Sequence, residues 1–148
     1  MKGYWNNPEA SAAAFDQDGW LHTGDVGYFD DEGFLYLCDR LKDMVITGGE
    51  NVYPAEVESV LYAHPAIAEC AVVGAPDEKW GERVVAVVVL KPGATLTLDE
   101  LRSFAQSRLA RYKLPAELRL VPTLPRNAAG KLLKSRLREQ IKDVAAPS

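Results

Sequence analysis

The order of apolar and polar positions along the chain predicts strands and helices in alternation. The runs IAECAVVGA and ERVVAVVVLKP are apolar and rich in β-branched residues, which predicts two strands. In PAEVESVLYAHP, Val57, Val60 and Leu61 recur at helical spacing, so a helix is predicted there, with the closing proline as its stop signal. Strand-forming runs and a helical spacing therefore occur within one stretch of the chain.

Two more helical patterns and one more strand are predicted downstream. TLDELRSFAQSRL opens with Thr97 as a helix cap and places four apolar side chains on one face: Leu98, Leu101, Phe104 and Ala105. LRLV predicts a short strand, and KLLKSRLREQIK predicts a terminal helix. Together the patterns predict an α+β fold with a small mixed sheet of about three strands flanked by helices, plus a two-stranded antiparallel hairpin.

The N-terminal part of the chain has a different pattern. Pro8 and Glu9 suit the first turn of a short helix. Residues 15–39 alternate apolar stretches with turn residues, which predicts a strand meander with a hairpin turn at DDEG. KDMVIT predicts a further strand after this hairpin-rich segment.

These patterns predict a domain boundary near Asp39 and Arg40. Residues 1–39 form the hairpin-rich segment, residues 40–142 form a compact domain of ordinary size, and residues 143–148 are expected to be a flexible tail.

Composition narrows the class of protein. With 148 residues, 47% of them hydrophobic and 26% charged, the chain is long enough to bury a core without disulfide staples. A net charge of -4 gives no reason to expect nucleic acid as a partner, and the basic run near the end is interpreted as a solvated helix face. Cys38 and Cys70 are too few for a disulfide framework, and His22 and His64 lack metal-ligand spacing, so no metal site is predicted.

The cellular compartment is predicted from the apolar runs and from the N-terminus. No apolar run approaches the roughly 20 residues of a membrane span, and the N-terminus lacks the basic-then-apolar pattern of an export signal. A cytoplasmic protein is expected.

Two motifs that resemble known binding loops fail on inspection. DQDGWLHTGD suggests a calcium loop, but the sixth position counted from Asp16 is Leu21, where that loop requires glycine. RNAAGK suggests a phosphate loop, but Pro125 and Leu132 stand where glycine and a hydroxyl residue are required.

Three other motifs keep two interpretations each. Gly48 and Gly49, in VITGGENVYPAEVE, serve either a tight strand-to-helix turn or the close approach of a ligand to the backbone. Lys131 follows a loop of small residues and either starts a helix in solvent or neutralises a phosphate or carboxylate. Asp25, in HTGD, either caps a backbone amide or accepts two vicinal ribose hydroxyls.

Four stretches in this order resemble the C-terminal part of the adenylate-forming (AMP-binding) superfamily, specifically fatty-acid and related acyl-CoA synthetases. They are WLHTGDVGYFDDEGFLYLCDRLKDMVITGGENVYPAEVE, VVGAPDEKWGERVVAVVV, LARYKLP and LPRNAAGKLLKSRLR. The resemblance covers about residues 1–140. It implies a two-step reaction in which a carboxylate attacks ATP to give acyl-AMP, and the thiol of coenzyme A then displaces AMP.

The resemblance also implies how the chain takes part. In this family a small C-terminal domain alternates between two poses on a large N-terminal adenylation domain. ATP, AMP and coenzyme A are substrates, and Mg²⁺ is bound mainly by the N-terminal domain, so no cofactor is expected on the isolated chain. Residues 1–39 would then be the tail of the N-terminal AMP-binding domain and the hinge hairpin.

Residue roles follow by position within the matched motifs. Asp25 resembles the aspartate that holds the ribose hydroxyls, and Arg40 resembles the arginine near the ribose and phosphate of AMP. Lys42 occupies the hinge position, and Lys131 resembles the adenylation lysine that bridges the carboxylate and the α-phosphate.

A second group of positions is implied for coenzyme A. Gly48 and Gly49 match the loop that runs beside the pantetheine arm, while Trp80 and Tyr112 match positions that pack against the adenine. Both aromatics also suit half-buried core positions.

The chain departs from the family near YKLPAEL, where some relatives carry extra basic residues for the phosphates of coenzyme A. Leu114, Ala116 and Glu117 stand there, with Arg111 and Lys113 as possible substitutes.

The family's ATP loop, adenine pocket and acyl tunnel would lie upstream of MKGYWN, so the chain is expected to be a fragment and inactive alone. An alternative is a stand-alone interaction module that completes or regulates a separate large subunit. A further alternative is a relative that uses a carrier-protein thiol. The carboxylic acid substrate and the oligomeric state are not readable from the sequence.

Overall fold

The computed structural model describes residues 1–143, which divide into two compact units. The first runs from Met1 to Lys42, and the second begins at Asp43. The division falls after Lys42, whereas the boundary expected from the sequence falls after Asp39. None of the helices in the described range is both long enough and apolar enough to cross a membrane.

The first unit contains one short helix and one hairpin. Helix α1 spans Pro8–Ala14, and strands β1 (Asp25–Phe29) and β2 (Leu35–Arg40) pair antiparallel. The meander predicted from residue 15 is wrong over its first part. There the chain makes only a single bridge between Phe15 and Leu21, because the Asp16 carboxylate accepts local turn amides instead.

The second unit is a mixed sheet with helices on both faces. Its strands are β3 (Val45–Thr47), β4 (Glu50–Val52), β5 (Ile67–Asp77), β6 (Gly81–Leu90) and β7 (Glu117–Leu120). Its helices are α2 (Pro54–Leu61), α3 (Leu98–Ala105) and α4 (Lys134–Asp143).

Strands β5 and β6 form a long antiparallel ribbon, paired from Ile67 with Leu90 to Asp77 with Gly81. Strand β7 adds to β6 in parallel, and the β3–β4 hairpin joins β6 through one pair, Thr47 with Gly81. The predicted α+β class, with three central strands plus a two-stranded hairpin, is therefore confirmed.

The sheet is buried on both faces, which explains the unbroken apolar runs of β5 and β6. Alternate residues point to opposite sides. One side packs against α2 and α3, and its core includes Val72, Val84, Ala86, Val57, Leu61 and Leu101. The other side packs against α4, and its core includes Val73, Val85, Val87, Leu137 and Ile141.

The start of one helix agrees with the sequence pattern and the start of another differs from it. Helix α3 has the predicted Thr97 cap, completed by Glu100 as a capping box. Helix α4 begins at Lys134 rather than at the start of KLLKSRLREQIK, because Arg126 and Leu132 pair in a bridge that holds the preceding residues extended. Asp143 ends α4, and residues 144–148 of the predicted tail lie outside the described residues.

Candidate functional site

Asp25 and Arg40 face each other at the paired ends of β1 and β2. The Arg40 Nε lies 2.8 Å from the Asp25 Oδ1, and Arg40 Nη1 also donates to the Thr23 carbonyl. The arginine side chain is 52% exposed and the aspartate 27%, so both remain reachable from solvent. The structure thus brings the two predicted nucleotide-binding residues together, with one carboxylate oxygen outside the ion pair.

Lys42 lies between two anchor points on its neighbours. The Leu41 amide donates to the Gly24 carbonyl at 2.8 Å, which ties the residue before Lys42 to the first unit. The Asp43 Oδ1 accepts from Arg138 Nη1 at 2.9 Å, which ties the residue after it to α4 of the second unit. Lys42 itself is exposed, in a single 3-10 turn.

Gly48 and Gly49 form the turn of the β3–β4 hairpin, whose flanking residues Thr47 and Glu50 pair. Their φ angles are 58° and 85°, both in the left-handed region. Two positive φ values in a two-residue hairpin turn favour glycine strongly. Of the two interpretations made from the sequence, the tight turn is therefore present, but it joins β3 to β4 and not a strand to a helix, because β4 intervenes before α2.

Trp80 packs over the glycine turn. The Gly48 amide donates to the Trp80 carbonyl at 2.8 Å, and a Cβ added to Gly48 would lie 3.0 Å from Trp80 Cε3. The Asp77 carboxylate accepts the amides of Lys79 and Trp80 and so fixes the turn between β5 and β6. The Trp80 residue is 52% exposed, so it is a surface aromatic and not a core residue.

A groove of about 640 Å³ opens beside this turn in the second unit. Its lining includes three of the four residues predicted for coenzyme A, which are Gly48, Trp80 and Tyr112. Three arginines also line it: Arg83, Arg102 and Arg111. The groove combines a side-chain-free edge, aromatic surface and cations, which suits a ligand with a slender arm and anionic groups.

Arg83 and Arg102 were not identified from the sequence. Arg102 lies on an amphipathic helix, where a partly exposed arginine is ordinary, and Arg83 lies near the start of β6. Neither belongs to a motif. Only the tertiary fold, which brings α3 and β6 beside the Tyr112 turn, assigns them to the groove.

Tyr112 lies on a 3-10 turn spanning Arg111–Lys113 and is 42% exposed. The Lys113 Nζ contacts both carboxylate oxygens of Glu56 on α2, at 2.7 and 2.8 Å. This hydrogen bond raises the pKa of Lys113 and commits the ammonium to α2. Of the two basic residues suggested from the sequence as phosphate contacts, Arg111 is the one that lines the groove.

Lys131 lies at the end of a tightly organised loop. The Asn127 Oδ1 accepts the amides of Ala129 and Lys131, at 3.0 and 2.8 Å, and the Asn127 amide donates to the Lys131 carbonyl at 2.9 Å. The Lys131 residue is exposed, and within residues 1–143 its ammonium forms no ion pair. The structure therefore presents a free cation on a well-defined backbone rather than at the start of a helix.

Both ends of the Lys131 loop are attached to the rest of the unit. At the start, Arg126 donates to the Gly130 carbonyl and forms an ion pair with Glu69 on β5. At the end, the Lys134 Nζ lies 2.8 Å from Glu58 Oε1, and both side chains are less than a fifth exposed. Two pairs therefore hold the loop against the sheet and α2.

The Lys131 loop and the glycine turn lie at opposite ends of the β5–β6 ribbon. The loop attaches at Glu69, whereas the turn adjoins Gly81, the partner of Asp77. At about 3.3 Å per residue, the stretch of β5 from Glu69 to Asp77 spans about 26 Å. Beyond the loop, Leu132 packs on the α4 side of the sheet, while the core residues beside the turn pack on the α2 and α3 side.

The part of the chain that the structure describes contains no cluster of side chains placed to hold a metal ion. Over residues 1–143, no three His, Cys, Asp or Glu side chains are close enough together to hold a metal ion. Cys38 and Cys70 are both free thiols, and the structure brings neither into the groove.

Comparison with known proteins gives a consistent match. Residues 56–131 match the family described as the AMP-binding enzyme C-terminal domain. The long-chain-fatty-acid–CoA ligase FadD13 of Mycobacterium tuberculosis is 54% identical over 140 residues, which cover 95% of this chain and 27% of that protein. The 2-succinylbenzoate–CoA ligase of Geobacillus kaustophilus is 53% identical over 140 residues, covering 95% and 28%.

A match to a solved structure points to the same class of protein as these sequence relatives. The o-succinylbenzoate CoA synthetase (MenE) from Bacillus subtilis, in complex with its acyl-adenylate intermediate OSB-AMP, matches with a TM-score of 0.84 and 50% identity. That match covers 100% of this chain and 29% of the other. The chain therefore spans little more than a quarter of the length of these proteins.

Proposed function

This chain belongs to the family of AMP-binding enzyme C-terminal domains, and from that premise we propose that it is the C-terminal domain of an ATP-dependent acyl-CoA synthetase. The enzyme is an acid–thiol ligase. In the first step a carboxylate oxygen attacks the α-phosphorus of ATP, an acyl–phosphate bond forms and pyrophosphate leaves. In the second step the thiol of coenzyme A attacks the acyl carbonyl, a thioester forms and AMP leaves.

Lys131 serves the first step in this proposal. Its ammonium lies beside the attacking carboxylate and the α-phosphate. There it offsets the negative charge that accumulates as these two anions approach each other. The Asn127 hydrogen bonds support the role, because a fixed backbone limits where the amine can reach. Asp25 accepts the ribose hydroxyls, and Arg40 contacts the ribose and phosphate of AMP.

The groove serves the second step. Gly48 and Gly49 border the path of the pantetheine arm, where the absence of side chains permits close passage of a ligand. Trp80 and Tyr112 pack against the adenine, since each has an exposed aromatic surface.

The observation that carries the proposal is the separation of Lys131 from the groove. The Lys131 loop attaches at Glu69 and the glycine turn adjoins Asp77, about 26 Å further along β5, so one orientation of the domain does not present both ends to a single reaction centre. We infer that the domain rotates about Lys42 between the two steps. The anchors on Leu41 and Asp43 support this, because they leave Lys42 as the residue whose dihedrals are free to change.

The carboxylic acid is left unassigned by this domain. One relative is named for long-chain fatty acids and another for 2-succinylbenzoate, yet their identities to this chain are 54% and 53%. In the proposal the acid, ATP and Mg²⁺ are held mainly by an N-terminal adenylation domain, which is the partner of this chain. The two free thiols and the use of ATP and coenzyme A favour the cytoplasm as the site of action.

A graft tests the proposal. The part of FadD13 that aligns with this chain is replaced by this chain, and the two half-reactions are measured separately. Pyrophosphate release reports acyl-AMP formation, and thioester formation from supplied acyl-AMP reports the second step. We expect the graft to perform both and the isolated 148-residue chain to perform neither. Turnover by the isolated chain, or a folded graft inactive in both half-reactions, would contradict the proposal.

A second candidate is a stand-alone module that docks on a separate large subunit. The β1–β2 hairpin supports this second candidate, because its side chains Tyr28, Phe29 and Leu37 are more than half exposed. Exposed apolar side chains of this kind suit contact with another protein. Adding the chain in trans to FadD13 truncated before the aligned part separates the candidates. Restored thioester formation supports the module, and activity restricted to the covalent graft supports a domain of one chain.

A further inference from the structure

Strand β3 leads into the glycine turn, and its attachment to β6 places that turn. The Gly48 amide donates to the Trp80 carbonyl at 2.8 Å, and Thr47 pairs with Gly81. Gly48, Trp80 and Gly81 are all exposed, and backbone hydrogen bonds at exposed strand ends open readily. The position of the turn therefore depends on what holds β3 to β6 further from the end of the ribbon.

A side chain takes over from the backbone at the next position along β3. Because Thr47 faces Gly81, a continued antiparallel ladder would place Ile46 opposite Glu82 and join the Ile46 amide to the Glu82 main-chain carbonyl. The Ile46 amide instead donates to the Glu82 Oε2, at 2.8 Å. The Glu82 carboxylate thus spans the gap where β3 leaves the sheet, and it holds the strand two residues before the glycine turn.

Gly74 leaves the room that the Glu82 side chain occupies. Gly74 is buried in β5, and its φ lies outside the left-handed region, so its backbone conformation is open to any residue. A Cβ at this position would lie 2.7 Å from the Glu82 Oε1 and 3.2 Å from the Val45 Cγ1. The first distance is shorter than a Cβ contact tolerates, so this position requires glycine for space and not for backbone conformation.

The neighbouring charges leave the Glu82 carboxylate available to the Ile46 amide. Arg83, the next residue of β6, is paired with Glu117, and within residues 1–143 Glu82 forms no ion pair. Glu82 is also only partly exposed. A carboxylate that accepts a backbone amide in partial shelter from water makes a stronger hydrogen bond than a neutral acceptor does.

We propose that Glu82 is a positioning residue for the thioester-forming step. Its carboxylate, in the room left by Gly74, fixes β3 and thereby places the glycine turn beside the pantetheine arm. This inference rests on the proposed function and adds to it two residues that do not line the groove and so act on the ligand only through β3. Lys131 lies at the other end of the ribbon, so the first half-reaction does not depend on Glu82.

The test compares variants of Glu82 in the two half-reactions of the FadD13 graft. Glu82→Met keeps most of the side-chain volume but has no oxygen acceptor, so kcat of the thioester step is expected to fall about tenfold because the arm is misplaced. Glu82→Gln keeps one acceptor oxygen, so its kcat is expected between those of Glu82→Met and the parent. Acyl-AMP formation is expected to be unchanged in both variants.

Gly74 provides a second and independent variant. Gly74→Ala fills the room of the carboxylate, so it is expected to lower the same kcat by a factor similar to that of Glu82→Met. In a Glu82→Ala background the added methyl group has no carboxylate to displace, so Gly74→Ala is expected to have little further effect. The two changes are therefore expected to be non-additive, as for residues in direct contact.

Glu100→Ala is the matched control. The Glu100 carboxylate also accepts a backbone amide, that of Thr97 at 2.8 Å, but it caps α3 and does not contact β3. This control is expected to destabilise the 148-residue chain in urea and to leave both half-reactions unchanged. Amide hydrogen exchange in the same chain reports the position of β3 directly. Exchange at Ile46 is expected to be about tenfold faster in Glu82→Met and Gly74→Ala, and unchanged in Glu100→Ala.

Each outcome bears on a different statement. Equal losses in both half-reactions, or an unchanged thioester step in Glu82→Met and Gly74→Ala, overturn the inference and leave the ligase assignment standing. Losses that add in the double variant, or exchange at Ile46 no faster than in the parent, overturn it as well. A parent graft without thioester formation overturns the proposed function and the inference with it.

Discussion

Glu69 on β5 and Arg126 in the loop before α4 form an ion pair, and the same guanidinium donates to the Gly130 carbonyl next to Lys131. The arginine therefore connects the sheet to the peptide that precedes the proposed adenylation lysine. Because both side chains are more than two-fifths exposed, the pair contributes no more than about 1 kcal/mol to folding. The main effect of the Glu69–Arg126 pair is to hold the Lys131 loop in position.

Removing this pair is expected to slow the first half-reaction selectively. In the graft, Arg126→Gln or Glu69→Gln should reduce acyl-AMP formation by about tenfold, since a misplaced catalytic group costs on this order or more. Thioester formation from supplied acyl-AMP should stay unchanged, and the free energy of unfolding of the 148-residue chain in urea should fall by no more than about 1 kcal/mol. The charge-swapped pair Glu69→Arg with Arg126→Glu should recover part of the rate. Equal losses in both half-reactions would indicate a merely structural pair.

Lys131→Ala is expected to reduce acyl-AMP formation by roughly 100- to 1000-fold, because a focused charge at the reacting phosphate is lost. Pyrophosphate release from acid and ATP measures this step. Thioester formation from supplied acyl-AMP should be spared, because the groove lies at the other end of the ribbon. Lys91→Ala, an exposed lysine after β6, serves as the matched control. Loss of the second half-reaction alone would reverse the assignment.

Gly48→Ala and Gly49→Ala should separate turn strain from ligand access. Both residues have positive φ, so each alanine should destabilise the turn by about 1 kcal/mol. Only Gly48 also faces Trp80, because a Cβ at this position would lie 3.0 Å from Trp80 Cε3. Only the Gly48→Ala variant is therefore expected to displace the indole. We expect Gly48→Ala to raise the KM for coenzyme A more than Gly49→Ala does, with tryptophan fluorescence reporting the displacement. Identical kinetics would show that the indole position is irrelevant.

The Glu58–Lys134 pair is largely buried, and Glu58 Oε1 also accepts the Val72 amide at 2.7 Å. Lys134→Met should destabilise the chain by roughly 3 kcal/mol, because it leaves a buried carboxylate without its partner. Urea denaturation of the 148-residue chain measures the change. Adding Glu58→Leu should recover part of the loss and no more, since the Val72 amide then has no acceptor. Full recovery would mean that the Val72 hydrogen bond contributes nothing.

Burial raises the pKa of the Cys70 thiol to about 12, and the nearby Glu58 carboxylate adds to the shift. At pH 8 the thiolate fraction is on the order of 10⁻⁴, and the thiolate is the reactive form. Iodoacetamide should therefore modify the half-buried Cys38 in the native chain and leave Cys70 unmodified until urea unfolds the domain. Mass spectrometry of peptides gives the two extents. Native modification of Cys70 at the rate of Cys38 would contradict the buried placement.

Local features of the fold were predictable where a single segment determines its own structure. The β5 and β6 runs, the Thr97 cap and the helix from Pro54 follow from propensity and periodicity. The glycine turn was misassigned because the three-residue strand β4 is too short to carry a periodic signal. The start of α4 was misplaced because Leu132 is held by Arg126, a contact that helical spacing does not reveal.

The candidate site was predictable only where motifs carry it. Gly48, Trp80 and Tyr112 were selected by resemblance, and the structure brings all three to one groove. Arg102 was not selected, because an arginine on an amphipathic helix has no distinguishing pattern. Its place in the groove depends on the packing of α3 beside the turn that carries Tyr112, which is information that no short window of the sequence contains.

In the proposed function, the length of the β5–β6 ribbon sets the separation between the Lys131 loop and the glycine turn. Two residues inserted into each strand would keep the inward and outward faces in phase and would lengthen the ribbon by about 7 Å. Each end would still fold locally, yet a rotation about Lys42 that places the Lys131 ammonium correctly at the proposed reaction centre would no longer match the rotation that places the groove correctly there. Strand length here is therefore under a constraint that neither end reveals by itself.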